Sequence, residues 1–254
     1  MVRGMDFFKV HPKYKDGISL ADHKELHAPA GKFLRHAIFG MNDGLVSVLA
    51  LTAGLTGALL SKNIVIIAGV TEMIAGAISM SLGTYISTKS QIEFYKREVK
   101  REKEDMERLP TLEKSHVKEI YQGKGFRGAE LEKVVNKLTS NKKIWLDVLV
   151  NEELGLSSSK MENAFSAGVV MFFSFIFGAL IPLSSFFLLP TGFALKAAVI
   201  SSLAVLFLAG AGKTHFTGGN WIKSGFEMVV IGALATTAAY YAGHIISGIV
   251  AYLV

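Results

Sequence analysis

The chain has 254 residues, half of them apolar and 19% charged, with 27 basic and 21 acidic side chains, a net charge of +6 and no cysteine. The absent thiols exclude disulfides, thiolate zinc sites and cysteine nucleophiles. A mean hydropathy of +0.39 with long charge-free runs argues against a soluble enzyme and, despite the charge, against a nucleic-acid binder.

Charges crowd residues 1–35 and 89–162. Residues 1–35 read as a polar cytoplasmic tail without a cleavable signal. The remainder predicts five transmembrane helices, since roughly 20 apolar residues cross the hydrocarbon. Helix 1 is expected over 36–60, broken by Ser61-Lys62-Asn63. Helix 2 begins near Ile64, stays apolar to Thr88 and continues into water as far as Arg108, where Leu109-Pro110 ends it. The segment 89–160 predicts a helical cytoplasmic insert with amphipathic helices over Leu112–Tyr121, Gly128–Leu138 and Lys142–Leu154, stopped by Gly155. Helix 3 is expected over 162–182, ending at Pro182, helix 4 over 192–212 and helix 5 over 222–253. The fold class is thus all-α, divided into the tail, helices 1–2 (36–88), the insert (89–160) and helices 3–5 (161–254).

An odd number of spans puts the termini on opposite sides of the membrane. With the N-terminus and the insert in the cytoplasm, 25 of the 27 Lys and Arg residues lie inside, leaving Lys62 and Lys196 outside with the C-terminus. Gly69, Gly76 and Gly83 recur every seven residues along helix 2 and mark a face for close packing, within a subunit or between subunits. Five helices make a thin wall for an ion route, which favours a symmetric homodimer with the route at its interface.

A carboxylate at hydrocarbon depth is costly and marks an ion route. Helix 1 carries Asp43, helix 2 Glu72 and helix 5 Glu227. Asp43 and Met80 fall at similar depth, and Glu72 roughly 12 Å further out on the face it shares with Gly76 and Met80. Carboxylates joined by a thioether favour first-row transition metals over Mg²⁺ or Ca²⁺, and a carboxylate released by its metal would take up a proton. Glu227 stands at the inner boundary, as a ligand or a snorkelling side chain. His36 and His244 lie near helix ends and read as interfacial.

In the insert, Glu98, Glu102 and Asp105 share one face of the helix 2 extension. Glu113 and His116 are three apart on the next helix, and Glu152-Glu153 precede the return to the membrane. Spacing leaves two readings: a ligand set for Fe²⁺, Mn²⁺ or Zn²⁺, or a solvated hairpin of Glu–Lys pairs with Lys96, Lys100, Lys103 and Lys114. No His-Glu-x-x-His or Gly-x-Ser-x-Gly occurs. Gly210-Ala-Gly-Lys-Thr214 mimics the end of a phosphate loop, but Phe207 stands where its first glycine belongs.

Phe39-Gly-Met-Asn-Asp-Gly-Leu45, Ala75-Gly-Ala-Ile-Ser-Met-Ser-Leu-Gly-Thr-Tyr85 and the acidic insert resemble the vacuolar iron transporter family over about residues 33–250. The resemblance implies a non-enzymatic five-helix homodimer that exports cytosolic Fe²⁺, sometimes Mn²⁺, in exchange for protons. Its route residues match Asp43, Glu72 and Met80. The metal ion is substrate and ligand of the cytoplasmic domain, with no tightly bound cofactor. Family ligands of that domain match Glu102, Asp105, Glu113, His116 and Glu153, with three departures: Asp105 is short, His116 replaces a carboxylate, and Leu149 stands where the pattern has methionine. The membrane would be a vacuolar or a prokaryotic plasma membrane. A membrane-anchored iron store and a scaffold without transport are the other classes; the Glu-x-x-His pair that iron storage chemistry favours occurs once, at Glu113.

Overall fold

The structure is a computed structural model that describes residues 30–156 and 161–253, so most of the tail read over 1–35 lies outside the described residues. Every regular element among them is helical: α1 Ala30–Gly57, α2 Lys62–Arg108, α3 Pro110–Gly123, α4 Gly128–Thr139 and α5 Lys142–Val148, which runs into a π-helical turn over Leu149–Glu153. Then follow α6 Ala164–Leu188, α7 Thr191–Thr217 and α8 Trp221–Leu253. Helices α1, α2, α6, α7 and α8 are long and apolar enough to span a bilayer.

The 47-residue α2 runs unbroken from bundle to insert and stops before Pro110, where the sequence predicts its end. Two spans run past their expected C-terminal ends. Helix α6 continues six residues past Pro182, which lies buried within it. A proline removes one ladder hydrogen bond, yet neighbouring helices can hold a membrane helix on both sides of the break. Helix α7 reaches Thr217 and stops at Gly218, whose φ of +70° makes a left-handed C-cap. Gly210–Thr214 is therefore helical throughout and forms no phosphate loop.

Helix α6 is central, packed against α1 and α2, while α8 lies against α1 and α7. Without a hydrophobic drive between helices in lipid, this core depends on close approach. A Cβ on Gly44 would stand 2.1 Å from the Phe175 carbonyl oxygen, and one on Gly178 would stand 2.1 Å from that of Met41. Along α2, the expected small-residue face is only partly used. Gly69 receives the Leu183 side chain and Gly76 the Phe175 ring, whereas Gly83 faces open space. Thr52, Thr56 and Thr236 return their hydroxyl protons to carbonyls one turn back, so these polar side chains need no water.

Contacts distant in sequence identify the two ends of the bundle. At one end Lys62 Nζ donates to the Leu189 carbonyl at 2.9 Å, joining the start of α2 to the end of α6. At the other, His36 Nε2 meets Glu162 Oε2 at 2.7 Å, joining α1 to the segment before α6. The insert has its own apolar core of Met106, Val117, Leu131, Val135, Val148 and Leu149. Leu149 is completely buried in it.

Candidate metal sites

Three segments of the insert converge on one cluster. Glu102 and Asp105 come from the extension of α2, Glu113 and His116 from the first two turns of α3, and Glu153 from the π-helical turn. Glu113 stands in the first turn of α3, which opens at Pro110, where an acid also suits the helix dipole. π-turns often occur at functional sites; this one returns Glu153 toward α3 while Leu149 stays in the core.

His116 Nδ1 lies 3.1 Å from Glu153 Oε1 and 3.4 Å from Glu113 Oε2. One donor atom from each of these residues fits within a 4.8 Å group. Glu113 and Glu102 are 4% and 9% exposed. Neither Glu113 Oε2 nor His116 Nδ1 finds a hydrogen bond of acceptable geometry. Gathered in this way, the carboxylates outnumber the one imidazole that could offset their charge, an imbalance that a cation would remove. Burial, with Glu153, Glu113 and Asp105 nearby, pushes the Glu102 carboxyl up to about 7, His116 opposing the rise. Burial also raises Glu113, again against His116.

The hairpin reading accounts for the rest of the surface. Lys100 pairs with Glu104, Lys142 with Glu107, Lys118 with Glu132 and Lys124 with Glu152, and Lys114 bonds Asn136. Glu98 lies between Arg97 and Arg101, outside the cluster. Arg101 also reaches Asp105 at 3.8 Å. Among the described residues, Glu102, Glu113 and Glu153 have no Lys or Arg ion-pair partner.

In the bundle, Phe175 measures depth. Its carbonyl touches Gly44 and its ring touches Gly76, so those glycines stand at about one level. Asp43 therefore lies about a turn further out than Met80 and about a turn further in than Glu72. Asp43 and Met80 thus stand within about a turn of one another, and Glu72 nearer the Lys62 end of the bundle. Asp43 and Glu72 are half-buried. Glu227 and His244 are exposed on α8. A cavity of about 590 Å³ opens between α1, α2 and α6, lined in part by Met80, Met171, Thr88, Gln91 and His36 but by neither Asp43 nor Glu72.

His36 lies near the start of α1, as its interfacial reading expects. It is 5% exposed and paired with Glu162, a partner that sequence separation concealed. Met171 on α6, 3% exposed, was also missed, since nothing in its apolar surroundings distinguishes a cavity-lining methionine from a packed one.

The profile of the VIT family matches residues 34–244. The chain is similar to Vacuolar iron transporter 1 of Arabidopsis thaliana, at 40% identity over 222 residues covering 87% of this chain and 89% of the relative. The protein of the same name from Eucalyptus grandis is 39% identical over 222 residues, 87% and 89% of the two chains. The Vacuolar iron transporter of Toxoplasma gondii is 35% identical over 240 residues, 90% and 80%.

Proposed function

The chain belongs to the VIT family, and on that ground we propose that it is a secondary transporter moving Fe²⁺, with Mn²⁺ the alternative cargo, out of the cytosol in exchange for protons. The family is one of transporters, not enzymes. The observation that carries this reading is the continuity of α2. One helix bears Glu102 and Asp105 of the cytoplasmic cluster and, roughly 33 Å away, Met80 with Glu72 beyond it.

The insert gathers the ion through Glu113, His116 and Glu153, with Glu102 and Asp105 beside them. The ion then passes Met80, Asp43 and Glu72 in order of depth. Carboxylates favour a hard cation and the thioether a softer one, a combination suited to first-row divalent ions. Each carboxylate that loses its metal away from water takes up a proton, which couples the two flows.

Two copies sharing the route would complete its wall. Ile67, Ile74, Ile78, Leu82 and Ile86 of α2 are exposed on the single chain, as expected of a helix that meets lipid or a second subunit.

Proteoliposomes enclosing an Fe²⁺-sensitive dye test the proposal. The wild type should carry Fe²⁺ with counterflow of protons, and Asp43→Ala should abolish the flux. Metal binding without any flux would instead mark a membrane-anchored iron-binding protein.

A further inference from the structure

We propose that His36 and Met171 join the route residue Met80 in a binding station for a soft first-row divalent cation at the cytosolic mouth of the bundle, with Glu162 as the positioning carboxylate. It rests on the transport reading for its place along a route, though not for binding itself.

Three helices supply the donors. His36 from α1, Met80 from α2 and Met171 from α6 line the same cavity of about 590 Å³. Hydroxyl and amide oxygens of Thr88 and Gln91 line it too, so an ion there could keep part of its coordination as oxygen or water. Gly40 draws the sulfur toward α1: a Cβ at Gly40 would lie 2.9 Å from Met171 Sδ. Gly40 stands one turn from His36 on the same face of α1, so the sulfur and His36 meet the cavity from that face. Asp43 follows within about another turn, so the station opens toward the carboxylate beyond it.

The arrangement of His36 fits a ligand better than a simple staple. Its Nε2 faces Glu162 Oε2 at 2.7 Å, and the side chains are only 7% and 14% exposed. Metal-bound histidines characteristically give their second ring proton to a carboxylate, which fixes the tautomer and strengthens the other nitrogen as a donor. With the proton on Nε2, Nδ1 would be the nitrogen that a cation takes. One imidazole and two thioethers define a softer site than the carboxylate cluster of the insert. Arg35 also lines the cavity, but from an exposed position.

The test uses full-length protein in nanodiscs carrying Glu113→Gln, His116→Gln and Glu153→Gln, which silence the insert's cluster, titrated calorimetrically with Cd²⁺ and with Mn²⁺. Adding Met171→Leu, which keeps the side-chain volume, should weaken Cd²⁺ by about 10-fold or more and Mn²⁺ by less than about 2-fold. Glu162→Gln should weaken both ions by roughly 10–100-fold. Unchanged Cd²⁺ affinity in Met171→Leu would overturn the station. So would a Glu162→Gln protein that melts earlier but binds both ions as before, because Glu162 would then be a staple alone. Fe²⁺ flux is measured in parallel in wild-type proteoliposomes. No flux alongside an intact, Met171-dependent Cd²⁺ site would remove the transport reading and sustain this one.

Discussion

Two glutamates in the insert carry charge at a cost. Glu102 and Glu113 are almost fully buried, and their carboxyls are raised above the ordinary value of 4.5, Glu102 to about 7. The folded, metal-free insert therefore holds protons more tightly than the unfolded chain. Its contribution from these groups is complete below about pH 4.5 and is lost as pH rises through about 7. Metal binding requires the deprotonated carboxylates, so divalent-ion affinity should climb between about pH 5.5 and about pH 7.5, with protons released on binding. Calorimetry in buffers of different ionisation enthalpy counts those protons; a flat affinity over that range would contradict the cluster as the binding site. In Glu113→Gln the affinity should fall by at least about 10-fold, since a charged ligand becomes a neutral one.

The elements owe their packing to a few close approaches. At Gly44 an added methyl would meet the Phe175 backbone at 2.1 Å, and a backbone cannot swing aside as a flexible side chain can. Gly44→Ala should therefore destabilise the bundle by about 1–3 kcal/mol, seen as a lower unfolding midpoint in detergent. Gly83 belongs to the same seven-residue series as Gly69 and Gly76 yet has nothing within 4 Å. There alanine should be neutral or stabilise by up to about 1 kcal/mol, its higher helix propensity being the only change. A loss in Gly83→Ala as large as in Gly44→Ala would show that Gly83 too has a close neighbour, in lipid or a second subunit. Sequence periodicity finds the series but cannot separate its members, because an approaching neighbour is a property of the other helix.

For the whole molecule, the absence of cysteine offers a clean topology test. Single cysteines can be placed at the exposed Ser61, which precedes α2, and at the exposed Ser140 in the insert, two residues from Lys142, which pairs with Glu107 at the far end of α2. An impermeant maleimide added outside should label Ser61→Cys only, with Ser140→Cys reacting after permeabilisation. The reverse pattern would invert the orientation drawn from the basic residues. Light scattering with detergent correction should give twice the chain's mass if two copies share the route, and a monomer persisting at high protein concentration would exclude that arrangement.

Five apolar runs, the unbroken α2 and the identities of the candidate acidic and sulfur donors are legible in the chain itself. Hydropathy and helical period act over neighbouring residues, and a bilayer rewards them wherever the chain lies. Bringing Glu113, His116 and Glu153 together, ordering Met80, Asp43 and Glu72 by depth, carrying α6 through Pro182 and burying His36 against Glu162, 126 residues away, required the folded bundle. Those outcomes depend on which helix faces which: in the insert its apolar core decides this, and in lipid backbone approach at residues such as Gly44 and Gly178 does, rather than any pattern local to one segment.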